Sequence, residues 1–144
     1  MVRVADCAAV ALGSPEGVFG AVHAGWRGLL DGVVERAADA VRSLGASDVV
    51  AGLGPCIGPC CYAFAGPPLE TLSARYGAAV RGRTRRGEEA LDLGAAVRGA
   101  LQAAGVSLVH DGSRCTGCEA DTWSHRVRGD AERQALAVWR TEPA

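Results

Sequence analysis

The chain has 144 residues, of which 49% are hydrophobic, 22% are charged and 5% are aromatic. This length and composition are typical of one globular domain with an ordinary hydrophobic core. All basic residues are arginines, and 15 of them against 16 acidic residues give a formal net charge of −1. This balance excludes the strongly basic surface by which proteins hold nucleic acids or anionic membranes. No apolar run reaches the roughly 18 residues of a membrane span.

The N-terminal half begins with a predicted β-hairpin. The sequence predicts a strand from Val2 to Leu12 and its antiparallel partner from Val18 to His23. The residues between them, 13–17, contain Gly and Pro and predict the turn. Apolar residues then recur with helical spacing from Leu29 to Leu44. Gly45 stands in the usual position for the end of a helix.

The remaining predicted elements mix strands and helices without a strict βαβ alternation. In chain order they are a strand from Val49 to Leu53, a Gly- and Pro-rich loop over 54–62, a helix from Pro68 to Tyr76, a charged loop from Arg81 to Glu89, a helix from Asp92 to Ala104, a strand from Val106 to His110, a polar loop from Cys115 to Ser124 and a strand from Gln134 to Arg140. This order predicts an α+β (mixed α/β) fold.

Six cysteines lie at positions 7, 56, 60, 61, 115 and 118. Because a chain with a core-forming composition needs no disulfide staples, we expect free thiols, metal ligands or a nucleophile. An extended backbone would point Cys60 and Cys61 in opposite directions, which favours packing over bridging. The N-terminal apolar stretch has about the length of a signal peptide, but Asp6 and Cys7 interrupt it. We therefore predict a cytoplasmic protein.

Cys7 and His23 form the predicted chemical centre. A hairpin turn near Pro15 places them opposite one another on paired strands, within one residue of register. Such a pair could hold zinc through a thiolate and an imidazole, or act as a nucleophile and its base without metal. A third interpretation is structural, with Cys7 buried in the core and His23 hydrogen-bonded.

Three strings carry a resemblance to a known family: ADCAAVAL around Cys7, AVHAGWRG around His23, and GLGPCIGPCCYAF over 52–64. In this order and spacing they resemble the YfiH/YlmD family, also labelled laccase-domain or polyphenol oxidase proteins. Further agreement with the family pattern lies at Asp92-Leu93, at AAGV over 103–106, at Cys115-Thr116, at Ser124-His125-Arg126-Val127 and at Arg133. The resemblance implies a mixed sheet with flanking helices. It covers essentially the whole sequence as a single domain, 1–144, without the family's N-terminal portion.

The resemblance also implies a zinc ion bound by His, Cys and His, two of which match His23 and Cys7. The remaining His belongs to a Gln-Val-His-Gly motif that does not occur in this sequence. We expect the third ligand to come from a separate partner segment, from a second copy in a homo-oligomer, or from a substitute such as His125. Copper, which the oxidase label implies, is less expected because a multicopper cluster requires more imidazoles than the 3 His of this chain.

The activities that the family implies are phosphorolysis of adenosine, inosine and methylthioadenosine, and hydrolytic deamination of adenosine. Zinc-bound water could attack the purine in deamination, and phosphorolysis needs cationic donors around phosphate. We therefore predict Cys7 and His23 as catalytic and metal-binding residues. Arg27, Ser124 and Arg126 are the predicted binding residues for a purine nucleoside and phosphate.

Two other functions stay open at this point. The chain could be a catalytically incomplete metal-binding or interaction module, or a thiol hydrolase that uses Cys7 and His23 without metal. A separate hypothesis joins the motif Cys115-Thr-Gly-Cys118 with Cys56 and Cys60 in a structural zinc site.

Overall fold

The computed structural model describes residues 1–141, which form eight strands and five helices. The strands are β1 (Val2–Val4), β2 (Ala8–Gly13), β3 (Phe19–Ala24), β4 (Val50–Leu53), β5 (Arg81–Arg83), β6 (Glu89–Leu91), β7 (Ser107–Asp111) and β8 (Gln134–Leu136). The helices are α1 (Trp26–Leu30), α2 (Val33–Ser43), α3 (Pro67–Tyr76), α4 (Leu93–Ala103) and α5 (His125–Arg128). The last three positions of the predicted 1–144 domain lie outside the described residues.

Four strands form the central sheet in the order β3-β2-β4-β7. Strand β2 pairs antiparallel with β3 and β4, whereas β4 pairs parallel with β7. Two smaller antiparallel pairs, β1 with β8 and β5 with β6, lie outside this sheet. Mixed pairing with helices between the strands confirms the predicted α+β class. None of the five helices combines the length and apolar character of a membrane span, the longest having 11 residues.

The core lies on one face of this sheet. Inward side chains of the sheet and of α2 and α4 belong to one buried cluster, which includes Val10, Leu12, Val22, Val34, Ala38, Val41, Val97 and Leu101. The strand residues that alternate with them, such as Ala11, Ala21 and His23, are half-buried or exposed. Because neighbouring residues of a strand point to opposite faces, His23 lies on the face away from the core.

The prediction of one strand from Val2 to Leu12 is wrong. The backbone at Asp6 has a φ of 80°, in the left-handed region, which an extended strand does not allow. The segment is therefore divided into β1 and β2, and β1 pairs with β8 instead of extending the hairpin. The hydrogen bonds of the Asp6 side chain, described below, hold this conformation.

The predicted helix from Leu29 to Leu44 is two helices, α1 and α2, with a break at Gly32. Gly32 has a φ of 73°, which glycine adopts at little steric cost. Tyr76, at the end of α3, joins the two helices because its hydroxyl lies within hydrogen-bond distance of two acceptors, Leu29 O at 2.8 Å and Glu35 Oε1 at 2.9 Å. The apolar spacing continues across the break, so the pattern alone did not reveal it.

Two further segments differ from the prediction. The ends of the charged loop from Arg81 to Glu89 pair as the hairpin of β5 and β6, with Arg83 opposite Glu89. The stretch mixes charges of both signs, which is typical of a solvated loop and hides the short hairpin. The predicted final strand from Gln134 to Arg140 ends at Leu136. The other predicted elements agree with the structure within one or two residues.

The break at Gly32 gives a stability test. In a Gly32→Ala variant, alanine must adopt a positive φ and its Cβ would lie 2.8 Å from Arg75 Nη2. We expect the free energy of unfolding to fall by about 1–2 kcal/mol, measured by urea denaturation. The matched control is Gly13→Ala, because an added Cβ there meets no heavy atom within 4 Å. Equal stability of the two variants would contradict the described break.

Candidate functional site

The carboxylate of Asp6 joins three segments of the chain at the candidate site. Its Oδ1 accepts hydrogen bonds from Thr116 Oγ1 at 2.7 Å and Ser124 Oγ at 2.6 Å. Its Oδ2 accepts the backbone N–H of Arg126 at 2.7 Å, and its own carbonyl accepts the N–H of Ile57 at 2.8 Å. One residue between β1 and β2 therefore fixes the loops around 57 and around 116–126.

Asp6 is only 8% exposed, so its carboxylate oxygens depend on these protein donors in place of water. A buried carboxylate is costly unless donors surround it, and charge-assisted hydrogen bonds are stronger than neutral ones. The same contacts offset the cost of the positive φ at Asp6, which is on the order of 1–3 kcal/mol for a strained backbone. The hydrogen-bond network therefore stabilises the turn at Asp6, and this turn positions the neighbouring residue, Cys7.

Cys7 lies between two cavities. The first, of about 270 Å³, is lined by Cys7, His23, Gly25, Trp26, Arg27 and Gly28. The second, of about 210 Å³, is lined by Ala5, Asp6, Cys7, Trp26, Ile57, Tyr62, Leu93, His125 and Arg126. Cys7 and Trp26 belong to both linings, so the structure brings together four of the five sequence-predicted site residues around one thiol.

The predicted opposition of Cys7 and His23 is wrong by two residues of register. Ala9 pairs with His23 and Ala8 with Ala24, because the hairpin is centred on Glu16, one residue after Pro15. Gly25 is the close neighbour of Cys7 instead, since a Cβ there would lie 3.0 Å from Cys7 Sγ. Cys7 and His23 nevertheless line the same cavity.

An aromatic row begins at Trp26, which lines both cavities, and ends at Tyr62, which lines the second. The ring of Phe64 lies 5.3 Å from that of Trp26 and 5.5 Å from that of Tyr62, measured between centroids. The Arg27 guanidinium carbon lies 4.5 Å from the Trp26 centroid, and that of Arg126 lies 4.7 Å from the Tyr62 centroid. Cation–π contacts of this kind orient a guanidinium without neutralising its charge. Both arginines therefore keep their charge available to an anionic ligand.

Local electrostatics disfavour an unassisted thiolate at Cys7. Burial raises the pKa of the Cys7 thiol, and the nearby Asp6 carboxylate raises it further. Burial also raises the pKa of Tyr62, although the Arg126 guanidinium opposes that shift. A metal-free nucleophilic cysteine requires the opposite shift.

Cys7 and His23 meet part of the requirement for a catalytic zinc ion. They supply a thiolate and an imidazole, which are preferred zinc ligands, but catalytic zinc sites have three protein ligands. Within residues 1–141, neither residue belongs to a group of three ligand atoms close enough to share one ion. His125 lines the second cavity, not the first. The described residues therefore do not complete this zinc site.

Ser124 lies away from the two cavities that the other predicted binding residues line. It is fully buried, donates to Asp6 and accepts the N–H of Val127 as the first residue before α5. It does not line either cavity around Cys7. Its observed contacts position Arg126, which follows two residues later.

Sequence reasoning missed Asp6 and Tyr62 as site residues. A carboxylate inside an apolar stretch, as at position 6, is a signal for a buried polar network. Tyr62 directly follows the GPCC string, but neither its side of the loop nor its contact with Arg126 could be deduced from spacing.

The cysteine grouping predicted for a structural zinc site is wrong in one member. Cys61 lies with Cys60, Cys115 and Cys118, whereas Cys56 is buried in the hydrophobic core.

A larger cavity of about 580 Å³ lies elsewhere on the protein and is lined by residues such as Gly52, His110 and Leu136. None of the predicted site residues lines it.

Comparison with known proteins identifies the family. Residues 1–141 match the family model described as multi-copper polyphenol oxidoreductase laccase. The purine nucleoside phosphorylase YlmD of Geobacillus stearothermophilus is 35% identical over 156 residues, which cover 96% of this chain and 54% of that protein. The purine nucleoside phosphorylase YfiH of Escherichia coli is 33% identical over 141 residues, which cover 96% of this chain and 58% of that protein. The chain belongs to the YfiH/YlmD family.

The crystal structure of YlmD from Geobacillus stearothermophilus matches this fold with a TM-score of 0.76 and 36% identity. The match covers 91% of this chain and 53% of that one. The family resemblance predicted from the three sequence strings is thereby confirmed. This chain spans little more than half the length of the YfiH/YlmD relatives that it matches.

An Asp6→Asn variant tests the carboxylate network. The amide retains the shape of the side chain but directs an NH₂ group at partners that are themselves donors. We expect the free energy of unfolding to fall by about 2–3 kcal/mol in urea denaturation, since hydrogen bonds to a buried charge are lost. The control is Asp48→Asn, at an exposed position. A loss no larger than that of the control would contradict the role of Asp6.

Proposed function

We propose that this protein is a purine nucleoside phosphorylase whose site is built around Cys7, with zinc as its metal. The observation that carries the proposal is the position of Cys7 between two cavities, one lined by Arg27 and the other by Arg126. A nucleoside and a phosphate ion need adjacent places of this kind. The relatives named purine nucleoside phosphorylases support the same reaction.

In phosphorolysis, a phosphate oxygen attacks the anomeric carbon of the ribose and the bond to the purine breaks. The phosphate carries negative charge, and the purine gains electron density as it departs. Guanidinium groups stabilise such charge best when they are held in place before the reaction. Arg126 is held by Tyr62 and by its N–H bond to Asp6, so it is our candidate for the phosphate. Trp26, which lines both cavities, is our candidate for stacking on the purine.

Cys7 and His23 are the proposed zinc ligands from this chain. The third ligand would come from His125, from a second copy of the chain, or from another polypeptide segment. When bound, zinc would act as a Lewis acid. Following the family resemblance, the proposed nucleosides are adenosine, inosine and methylthioadenosine, with deamination of adenosine as a second reaction.

A catalytically incomplete metal-binding or interaction module is the second candidate function. One observation favours it: the described residues do not bring a third ligand to Cys7 and His23. A metal-free thiol hydrolase has less support because the pKa of Cys7 is raised.

The test is chromatography of adenosine incubated with zinc-loaded protein, with and without inorganic phosphate. We expect adenine to form only with phosphate and inosine to form without it. Cys7→Ala should reduce both rates by at least about 100-fold, a loss typical of removing a group that acts on the transition state. Arg126→Ala should lower kcat/KM for phosphate by about 10–100-fold with a smaller effect on deamination.

Arg36→Ala is the matched arginine control. Arg36 is exposed on α2, where its side chain bonds the Asp31 carbonyl, and the variant should retain full activity. Thermal denaturation of every variant shows whether it is folded. Absence of turnover by the folded, zinc-loaded wild-type chain would reject the phosphorylase proposal and support the incomplete module.

A further inference from the structure

Four of the six cysteines converge where two loops meet. The sulfur atoms of Cys60, Cys61, Cys115 and Cys118 all lie within 4.8 Å of one another. Cys118 Sγ lies 3.4 Å from Cys60 Sγ and 3.5 Å from Cys61 Sγ. A tetrahedral zinc ion with bonds of about 2.3 Å separates its sulfur ligands by about 3.8 Å. The four sulfurs therefore have the spacing of ligands to a single ion.

We propose that these four cysteines bind a structural zinc ion that ties the loop at 58–62 to the loop at 115–118. This site is distinct from the one proposed around Cys7, with which it shares no ligand. Sulfur-only tetrahedral sites select zinc or iron, and a Cys₄ set fills all four positions of zinc, so none is left for a substrate. The inference does not rest on the phosphorylase proposal.

The local backbone explains how adjacent cysteines can share one ion. Pro59–Cys61 form a single 3₁₀ turn, in which the N–H of Cys61 donates to Gly58 O at 3.1 Å. With three residues per turn, consecutive side chains diverge by about 120° instead of the 180° of a strand. The sequence expectation that Cys60 and Cys61 point in opposite directions is therefore wrong, and both sulfurs reach Cys118.

The second pair of ligands comes from the turn of the Cys115-Thr-Gly-Cys118 motif. The N–H of Cys118 donates to Cys115 O at 2.9 Å, which closes the turn and directs both side chains to the same side. The N–H of Gly58 donates to Cys115 Sγ at 3.2 Å. Hydrogen bonds of this kind orient metal ligands and stabilise the thiolate form that a metal requires.

Two glycines permit the loops to approach this closely. A Cβ at Gly58 would lie 3.1 Å from Cys115 Cβ, and a Cβ at Gly117 would lie 3.1 Å from Cys61 Sγ and 2.6 Å from Val127 Cγ2. Any larger residue at either position would separate the cysteines. The close approach of backbone to sulfur on both sides is the packing that a metal site needs.

Arg85 provides a compensating charge. Its Nη2 donates to Cys118 Sγ at 3.1 Å, and its backbone N–H donates to Cys60 O at 3.2 Å. Four thiolates around a divalent ion carry a net charge of about −2, so an adjacent guanidinium lowers the electrostatic cost of the cluster.

The thiol pKa values agree with this geometry. Burial raises the pKa of Cys61 to about 11, together with its hydrogen bonds to Cys118 and Cys115. Burial also raises the pKa of Cys115, but hydrogen bonds from Gly58, Cys118 and Cys60 outweigh it and lower that pKa.

The proposed ion would also support the candidate site. Thr116 lies inside the second turn, between ligands Cys115 and Cys118, and its hydroxyl donates to Asp6. Tyr62 directly follows ligand Cys61 and contacts Arg126. Zinc would hold these loops from one side while Asp6 holds them from the other.

The test is zinc content per chain, measured by mass spectrometry of the metal after purification in a thiol reductant, beside cobalt spectroscopy. We expect Cys118→Ala to lose one equivalent of zinc. Its affinity for zinc should fall by more than about 100-fold, because removing even a residue that only hydrogen-bonds a metal ligand lowers metal affinity by about 10–100-fold. The cobalt-loaded wild type should show the sulfur-to-cobalt charge-transfer band of four thiolates, which Cys118→Ala should weaken.

Cys56→Ala is the matched control because Cys56 pairs through its backbone with Cys115 but lies outside the cluster. Cys56→Ala should retain the ion. Cys7→Ala should retain it too, and this second control distinguishes the structural ion from the proposed catalytic zinc. Equal zinc content in Cys118→Ala and Cys56→Ala would overturn the proposal. A metal-free wild-type protein with Cys60 and Cys118 joined in a disulfide, detected by alkylation and mass spectrometry, would overturn it as well.

Discussion

The arrangement of the candidate site depends on one buried carboxylate. Asp6 accepts hydrogen bonds from Thr116, Ser124 and the Arg126 N–H, which lie more than a hundred residues away in the chain. An ion in an apolar interior is stable only when donors surround it, so the loop at 116–126 must close over Asp6. In closing, the loop places Arg126 over Tyr62 and beside Cys7. The positive φ at Asp6 turns the chain so that Cys7 enters the space between the two cavities.

Two kinds of contact then fix the same pair of loops. The first kind is the set of hydrogen bonds to Asp6, one of which comes from Thr116. The second kind is the contact among the sulfur atoms of the four cysteines, two of which flank Thr116 in the sequence. The aromatic row of Trp26, Phe64 and Tyr62 lies between the two arginines of the cavities. This arrangement gives short irregular loops a defined geometry, although they contain little regular secondary structure of their own.

The sequence predicted the fold class, the family and most elements because these depend on local patterns. Apolar periodicity located α3 and α4, and the strings around Cys7 and His23 carried the family resemblance. The breaks at Asp6 and Gly32 were missed because a single residue in the left-handed region does not disturb the apolar pattern around it. The register of Cys7 against His23 was wrong because the hairpin is centred on Glu16, and a turn of several Gly and Pro residues does not define its centre to one residue. The pairing of Cys61 with Cys118 could not be predicted, because it depends on a 3₁₀ turn and on the contact of loops about 60 residues apart.

Amide hydrogen exchange at Arg126 tests the central role of Asp6 most directly. Arg126 is in a short exposed helix, where an N–H without a buried partner would exchange rapidly. Its N–H donates to Asp6, whereas that of the neighbouring His125 makes no hydrogen bond in the described part of the chain. We expect Arg126 to be protected to a degree similar to the amides of β2, and His125 to exchange quickly. Rapid exchange at both residues, with the sheet still protected, would contradict the account.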